Sequence, residues 1–227
     1  MADQIKSRKR VQDHGEVFTN PREVNAMLDM VKQETERIES RFLEPACGDG
    51  NFLIEIIRRK MAVVKARYAK SPGEYERYAF LAVSSIYGVD ILADNVVECR
   101  KRLFEFVKDE AEKTLKSNLE PAFLDAIDYV IERNILCGDA LTLKADDGEP
   151  IIFSEWSLVM SDKVKRRDFR LDELLEGSGD KNGQMSLFGA SMTPTTQWEW
   201  DAEINAYIPA PIKEYPLCDW REVRTHG

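Results

Sequence analysis

The sequence predicts a doubly wound, Rossmann-like α/β fold, and three observations carry that prediction. Short apolar segments run into an acidic residue three times, at Leu43-Glu44, at Ile86 to Asp90 and at Ile135 to Asp139. Amphipathic helical patterns stand between them. The first turn, Glu44-Pro45-Ala46-Cys47-Gly48-Asp49-Gly50, is punctuated by glycines that admit positive φ and a close approach of backbone to ligand. The helix that opens near Asn51 then presents free N–H groups to the same space. In a doubly wound sheet ligands bind beyond the carboxyl ends of the strands, which is where all three acids fall.

A chain of 227 residues, 43% hydrophobic and 32% charged, can bury a full core, and one domain with an appendage is expected. The longest apolar stretches, such as Ala79 to Val83, are far short of the roughly 20 residues of a membrane span. Met1 to Arg10 has no apolar core of a signal peptide, so a cytoplasmic protein is expected. Cys47, Cys99, Cys137 and Cys218 are scattered without metal-ligand spacing, and the expectation is four buried, reduced thiols. The net charge of −9 predicts a poor grip on DNA, because sequence-independent affinity comes from Lys and Arg neutralising phosphates. Two basic clusters stand out, Lys6 to Arg10 and Lys163 to Arg170; such runs are more often solvated surface than phosphate contacts.

In chain order, residues 1–15 read as a mobile basic arm and 16–176 as the main domain. Asn20, Pro21 and Glu23 form a helix start, and Val24, Met27, Leu28, Val31 and Ile38 extend an amphipathic helix to about Glu39. Phe52, Leu53, Ile56 and Ile57 begin a helix to about Ala69, ended by Ser71-Pro72-Gly73, and another covers Glu74 to Ser85. After the strand ending at Asp90, one long helix covers Ile91 to Asn118 with Val97, Leu103, Phe104, Val107, Ala111 and Leu115 inside. A helix from Ala122 to Arg133 leads to the third strand. Asp90 follows Gly50 at twice the separation of about 20 residues found in dinucleotide folds, which disfavours a dinucleotide. Asp90 could hold ribose hydroxyls or cap the next helix.

The string Glu44-Pro45-Ala46-Cys47-Gly48-Asp49-Gly50-Asn51-Phe52-Leu53 resembles the S-adenosylmethionine loop of adenine-specific, amino-methylating DNA methyltransferases of restriction–modification systems. Their pattern is acidic-Pro-Ala-Cys-Gly-x-Gly-x-Phe-Leu. The resemblance implies a methyltransferase sheet with Glu44, Pro45, Ala46, Cys47, Gly48, Gly50, Asn51 and Phe52 around the cofactor. It implies ribose binding by Asp90, an adenine contact at Ile91, and an acceptor for the adenine amino group at Asp139, followed by Ala140. Gly15-Glu16-Val17-Phe18-Thr19-Asn20-Pro21 is similar to the segment that closes over the methionine end, which implicates Phe18 and Thr19; the family has Thr-Pro where this chain has Thr19-Asn20-Pro21.

The resemblance covers about residues 14–143 and stops before the family's catalytic element, (Asn/Asp)-Pro-Pro-(Tyr/Phe). That element flips and stacks the base and accepts from its amino protons. No Pro-Pro pair occurs in this chain, and Gly148-Glu149-Pro150-Ile151-Ile152-Phe153-Ser154-Glu155-Trp156 stands where the motif is expected. A partial methyltransferase sheet is therefore expected, with DNA held weakly by this chain alone and a second protein chain carrying catalysis and target recognition. The alternative is a degenerate, non-catalytic S-adenosylmethionine-binding subunit. Ile151 to Phe153 and Val164 to Arg170 read as a hairpin, Asp172 to Leu175 as a helical turn, and 177–196 as a flexible linker. The aromatic, proline-broken segment 197–227 either packs back on the domain or docks a partner.

Overall fold

The computed structural model describes residues 10, 12, 19–116, 119–176, 198–201 and 206–226. The expected linker, most of the arm and Phe18 lie outside the described residues. Three parallel strands form the central sheet: β1 (Phe42–Glu44), β2 (Ile86–Asp90) and β3 (Ile135–Asp139), in that spatial order. A short β4 (Lys144–Ala145) closes the outer side of β3 antiparallel. The mixed α/β architecture, with helices between parallel strands, is compatible with a Rossmann-like fold.

One face of the sheet carries the helices. Side chains alternate along a strand, so Ile86 faces the helical core while Tyr87 and Val89 face the opposite side. The helical side holds α1 (Pro21–Asp29), α2 (Lys32–Thr35), α3 (Asn51–Tyr68), α4 (Pro72–Ser84), α5 (Ala93–Leu115) and α6 (Pro121–Asn134). Asn20 caps α1, its side chain accepting from Arg22 N–H at 2.9 Å. The single long helix expected to Glu39 breaks after Asp29, and a separate short turn, α2, buries Thr35 and leads to the buried Ile38. Met27 and Val31, expected inside, are 50% and 45% exposed. Pro72 does not only end α3; with its fixed φ it also serves as the first residue of α4. Val97 is a further correction: the buried stripe of α5 runs Val96, Cys99, Leu103, Val107, Ala111, Leu115, one position off, and leaves Val97 64% exposed.

Lys60 of α3 is fully buried and donates to Ile38 O, Ser40 O and Ser85 Oγ, tying the segment before β1 to the α4–β2 junction. Burial lowers its pKa to about 7 from 10.5, against the raising pull of Glu39 and Glu34. Between pH 7 and 10 the unfolded chain therefore binds a proton that the folded chain lacks, and stability rises with pH. Urea unfolding at pH 7 and pH 9 should show the wild type gaining about 2 kcal/mol relative to Lys60→Met.

The other face is covered by the expected hairpin, longer than the sequence suggests: β5 (Ile152–Val159) and β6 (Lys163–Arg170), followed by α7 (Leu171–Glu176). Ile151, Phe153 and Leu171 pack on Tyr87 and Val89. The basic cluster here divides: Lys163 is exposed and Lys165 and Arg170 half-exposed, as solvated surface would be, whereas Arg166 and Arg167 are buried and paired. Arg166 donates to both oxygens of Asp168, to Ser154 Oγ and to Tyr129 Oη, while Arg167 pairs with Glu155, itself bound by Arg41. β7 (Trp198–Asp201) pairs with β8 (Ala206–Pro209), and β9 (Lys213–Glu214) and β10 (Cys218–Asp219) add to β6. A 3-10 turn (Trp220–Glu222) and α8 (Val223–His226) end the described chain. Trp220 is fully buried against Phe80 and Phe123, so the end of the tail packs back on the domain. Trp220 and Tyr215, whose hydroxyl donates to Asp168, are thus unavailable as partner anchors.

Candidate functional site

The glycine loop lies where β1 meets α3, at the carboxyl edge of the parallel strands. Gly48 (φ 54°) and Gly50 (φ 93°) take the left-handed conformation that permits the tight turn, and Gly50 N–H donates to Cys47 O at 2.9 Å. A Cβ on Gly50 would meet Cys99 Sγ at 2.7 Å, and one on Gly88 would meet Leu53 Cδ1 at 2.9 Å. Glycine at both places lets the loop lie against β2 and α5. Cys47 N–H continues the ladder onto Val89 O at 2.9 Å. The Cys99 thiol beside Cys47, and then burial, push the Cys47 thiol up, so it stays protonated and serves packing. Of the four thiols expected to be buried, Cys47 and Cys99 are, while Cys137 and Cys218 are half-buried.

Asp90 is the centre of the site. Its Oδ2 accepts from Gly48 N–H at 2.9 Å, and Oδ1 accepts from Leu92 N–H at 2.9 Å and from Asn95 Nδ2 at 3.2 Å. It thus both anchors the loop and caps the turn into α5. A carboxylate offers about four lone-pair positions, so one remains, on Oδ2. Among the described residues Glu44, at the end of β1, is met by Ala46 N–H and by no cation, and burial pushes its carboxyl up. Asp139 accepts from Leu141 N–H at 2.8 Å, which holds its carboxyl below the usual range.

Pro45 and Ala46 are exposed on the rim, whereas Asn51, Phe52 and Ala140 are half-buried. Ile91 and Leu141 stand 58% and 95% exposed after β2 and β3, two apolar side chains flanking the rim. Thr19 is joined to the loop through its carbonyl, which accepts from Asn51 Nδ2 at 3.4 Å. One contributor escaped sequence reasoning. Arg102 of α5 donates to Asp49 O at 2.6 Å and Asn51 Oδ1 at 3.0 Å and pairs with Asp49 Oδ2 at 2.8 Å, clamping the loop from outside. An arginine on a long charged helix carries no sequence signal of such a role. Asp49 Oδ1 is buried without a partner.

The rim thus gathers a desolvated carboxylate at Glu44, an unused lone pair on Asp90 and exposed apolar side chains at Ile91 and Leu141. The segment standing where a catalytic motif is expected does not face it. Ser154, Glu155 and Trp156 are buried and spent on Asp168, on Arg41 and Arg167, and on Asn134.

The chain is similar to DNA methyltransferase A of Bacillus subtilis (strain 168), 26% identical over 173 residues that make up 69% of this chain and 20% of that protein. It thus spans about a fifth of the length of that relative. No family model matches, and no solved structure matches. The likeness supports, at the coarse level, a distant relation to a DNA methyltransferase. Among the described residues no helix is long and apolar enough to cross a membrane.

Proposed function

We propose that this chain is the cofactor-binding half of an S-adenosylmethionine-dependent DNA adenine methyltransferase of a restriction–modification system, and that a second chain supplies the catalytic strand and target recognition. One observation carries the reading: the glycine loop, Glu44, Asp90 and Asp139 share one rim, yet no described group there can both accept from an amino group and stack a flipped base. The chemistry of the rim fits the cofactor. Glu44, desolvated and without a cation, suits its ammonium group; the remaining lone pair of Asp90 suits one ribose hydroxyl; Ile91 and Leu141 suit the faces of its adenine. The first N–H groups of α3 suit its carboxylate. Bound there, the cofactor supplies a methyl group on a sulfonium, a leaving group that needs no metal. This chain's part is to hold and orient it and to keep the loop rigid through Arg102.

The missing acceptor equally suits a non-catalytic subunit that only binds the cofactor. An adjacent reading frame that begins near an Asn-Pro-Pro-Tyr strand favours the split enzyme. The direct experiment is transfer of labelled methyl from S-adenosylmethionine to genomic DNA by the purified chain. No transfer by the chain alone is the expected result, and turnover would remove the split-enzyme reading.

A further inference from the structure

Among the described residues β1 is the last strand of the central sheet on its side and is paired on one edge only. Phe42 N–H donates to Ser85 O at 3.0 Å, and the register sets Leu43 beside Tyr87 and Glu44 beside Gly88. In a parallel ladder alternate residues bond to the same neighbour, so the N–H and C=O of Leu43 point away from β2. Among the described residues no strand lies on that side. The β5–β6 hairpin does not pair there: it forms a separate sheet across the face, where the cluster of Ile151 and Phe153 packs on Leu43 and Glu155 meets Arg41.

Doubly wound sheets place their ligand crevice where the strand order reverses, beside the first strand. The described residues supply strands on one side of that point only. Resting on the function proposed above, we infer that the free edge of β1 docks an extended segment of the second chain, added in parallel so that its carboxyl end arrives beside Glu44 and Gly48. Parallel addition follows from β1, β2 and β3 all running one way. The incoming strand would lie between the helical layer, which Phe42 faces, and the hairpin layer, which Leu43 faces. The two layers call for a run that is apolar on both faces, and under the function proposed above that run ends at the rim in the polar acceptor and aromatic ring of the catalytic motif.

The test separates the backbone donor from the side chain at one position. Leu43→Pro removes the outward N–H and leaves those of Phe42 and Glu44, which serve β2; Leu43→Ala removes the same packing but keeps the donor. In cells that encode the chain, both variants should bind S-adenosylmethionine when purified, Leu43→Ala should preserve adenine methylation of the genome, and Leu43→Pro should reduce it to the level of a deletion. Wild-type methylation in Leu43→Pro would overturn the docking edge while leaving the proposed function intact. Methylation unchanged by deletion of the chain would overturn both. Where Leu43→Pro fails to accumulate, amide hydrogen exchange of the purified wild-type chain decides. Exchange at Leu43 about a hundredfold faster than at Phe42 and Glu44 supports a free edge, and equal protection at all three overturns it.

Discussion

Asp168→Ala should cost about 3–5 kcal/mol of stability, the largest loss expected from any single substitution in the hairpin layer. Asp168 and Arg166 are 7% and 5% exposed, and the guanidinium meets its carboxylate through two contacts of 3.0 Å. Ser154 Oγ and Tyr215 Oη donate to the same carboxylate at 2.7 and 3.0 Å. Removing it leaves the Arg166 charge without its carboxylate between the rings of Trp156 and Tyr215. The loss is a large share of the roughly 5–15 kcal/mol that holds a typical domain. Replacing both partners, Arg166→Met with Asp168→Leu, should recover much of it, since the cost lies in the unpaired charge. Urea unfolding of the two single variants and the double variant measures this. A loss under about 1 kcal/mol for Asp168→Ala would mean that the pair is solvated.

Asp90→Asn should weaken S-adenosylmethionine binding about tenfold to a hundredfold, the worth of one charge-assisted hydrogen bond of roughly 1.5–3 kcal/mol. The substitution keeps size but replaces an acceptor by a donor. Either Gly48 N–H or the Leu92 and Asn95 donors would then face an NH2 group, so the loop should loosen as well as lose the ribose contact. Titration calorimetry on the variant checks the size, and unchanged affinity would take Asp90 out of the site.

The parts legible in the sequence are those in which local chemistry and tertiary role coincide. Gly50 needs positive φ and a bare Cα, and both demands belong to one residue. Asp90 read as either a cap or a ligand holder, and the fold shows the cap and the loop anchor, leaving one lone pair for a ligand. Arg102, by contrast, acts across the space between α5 and the loop, and nothing near it in sequence marks that. Within the cluster Lys163 to Arg170, Arg166 and Arg167 misled for the same reason: their charges read as surface because their partners, Glu155 and Tyr129, are distant in the chain. Trp220 read equally well as a docking anchor or a core residue until Phe80 and Phe123 were found beside it.

The central claim is that Glu44, the glycine loop, Asp90 and Asp139 form a cofactor site complete within this chain. Titration calorimetry of the purified full chain with S-adenosylmethionine, without DNA or any other protein, tests it most directly. The account predicts saturable binding of one cofactor per chain, lost or weakened in Asp90→Asn. Absence of binding at millimolar cofactor by a chain that unfolds cooperatively would contradict it.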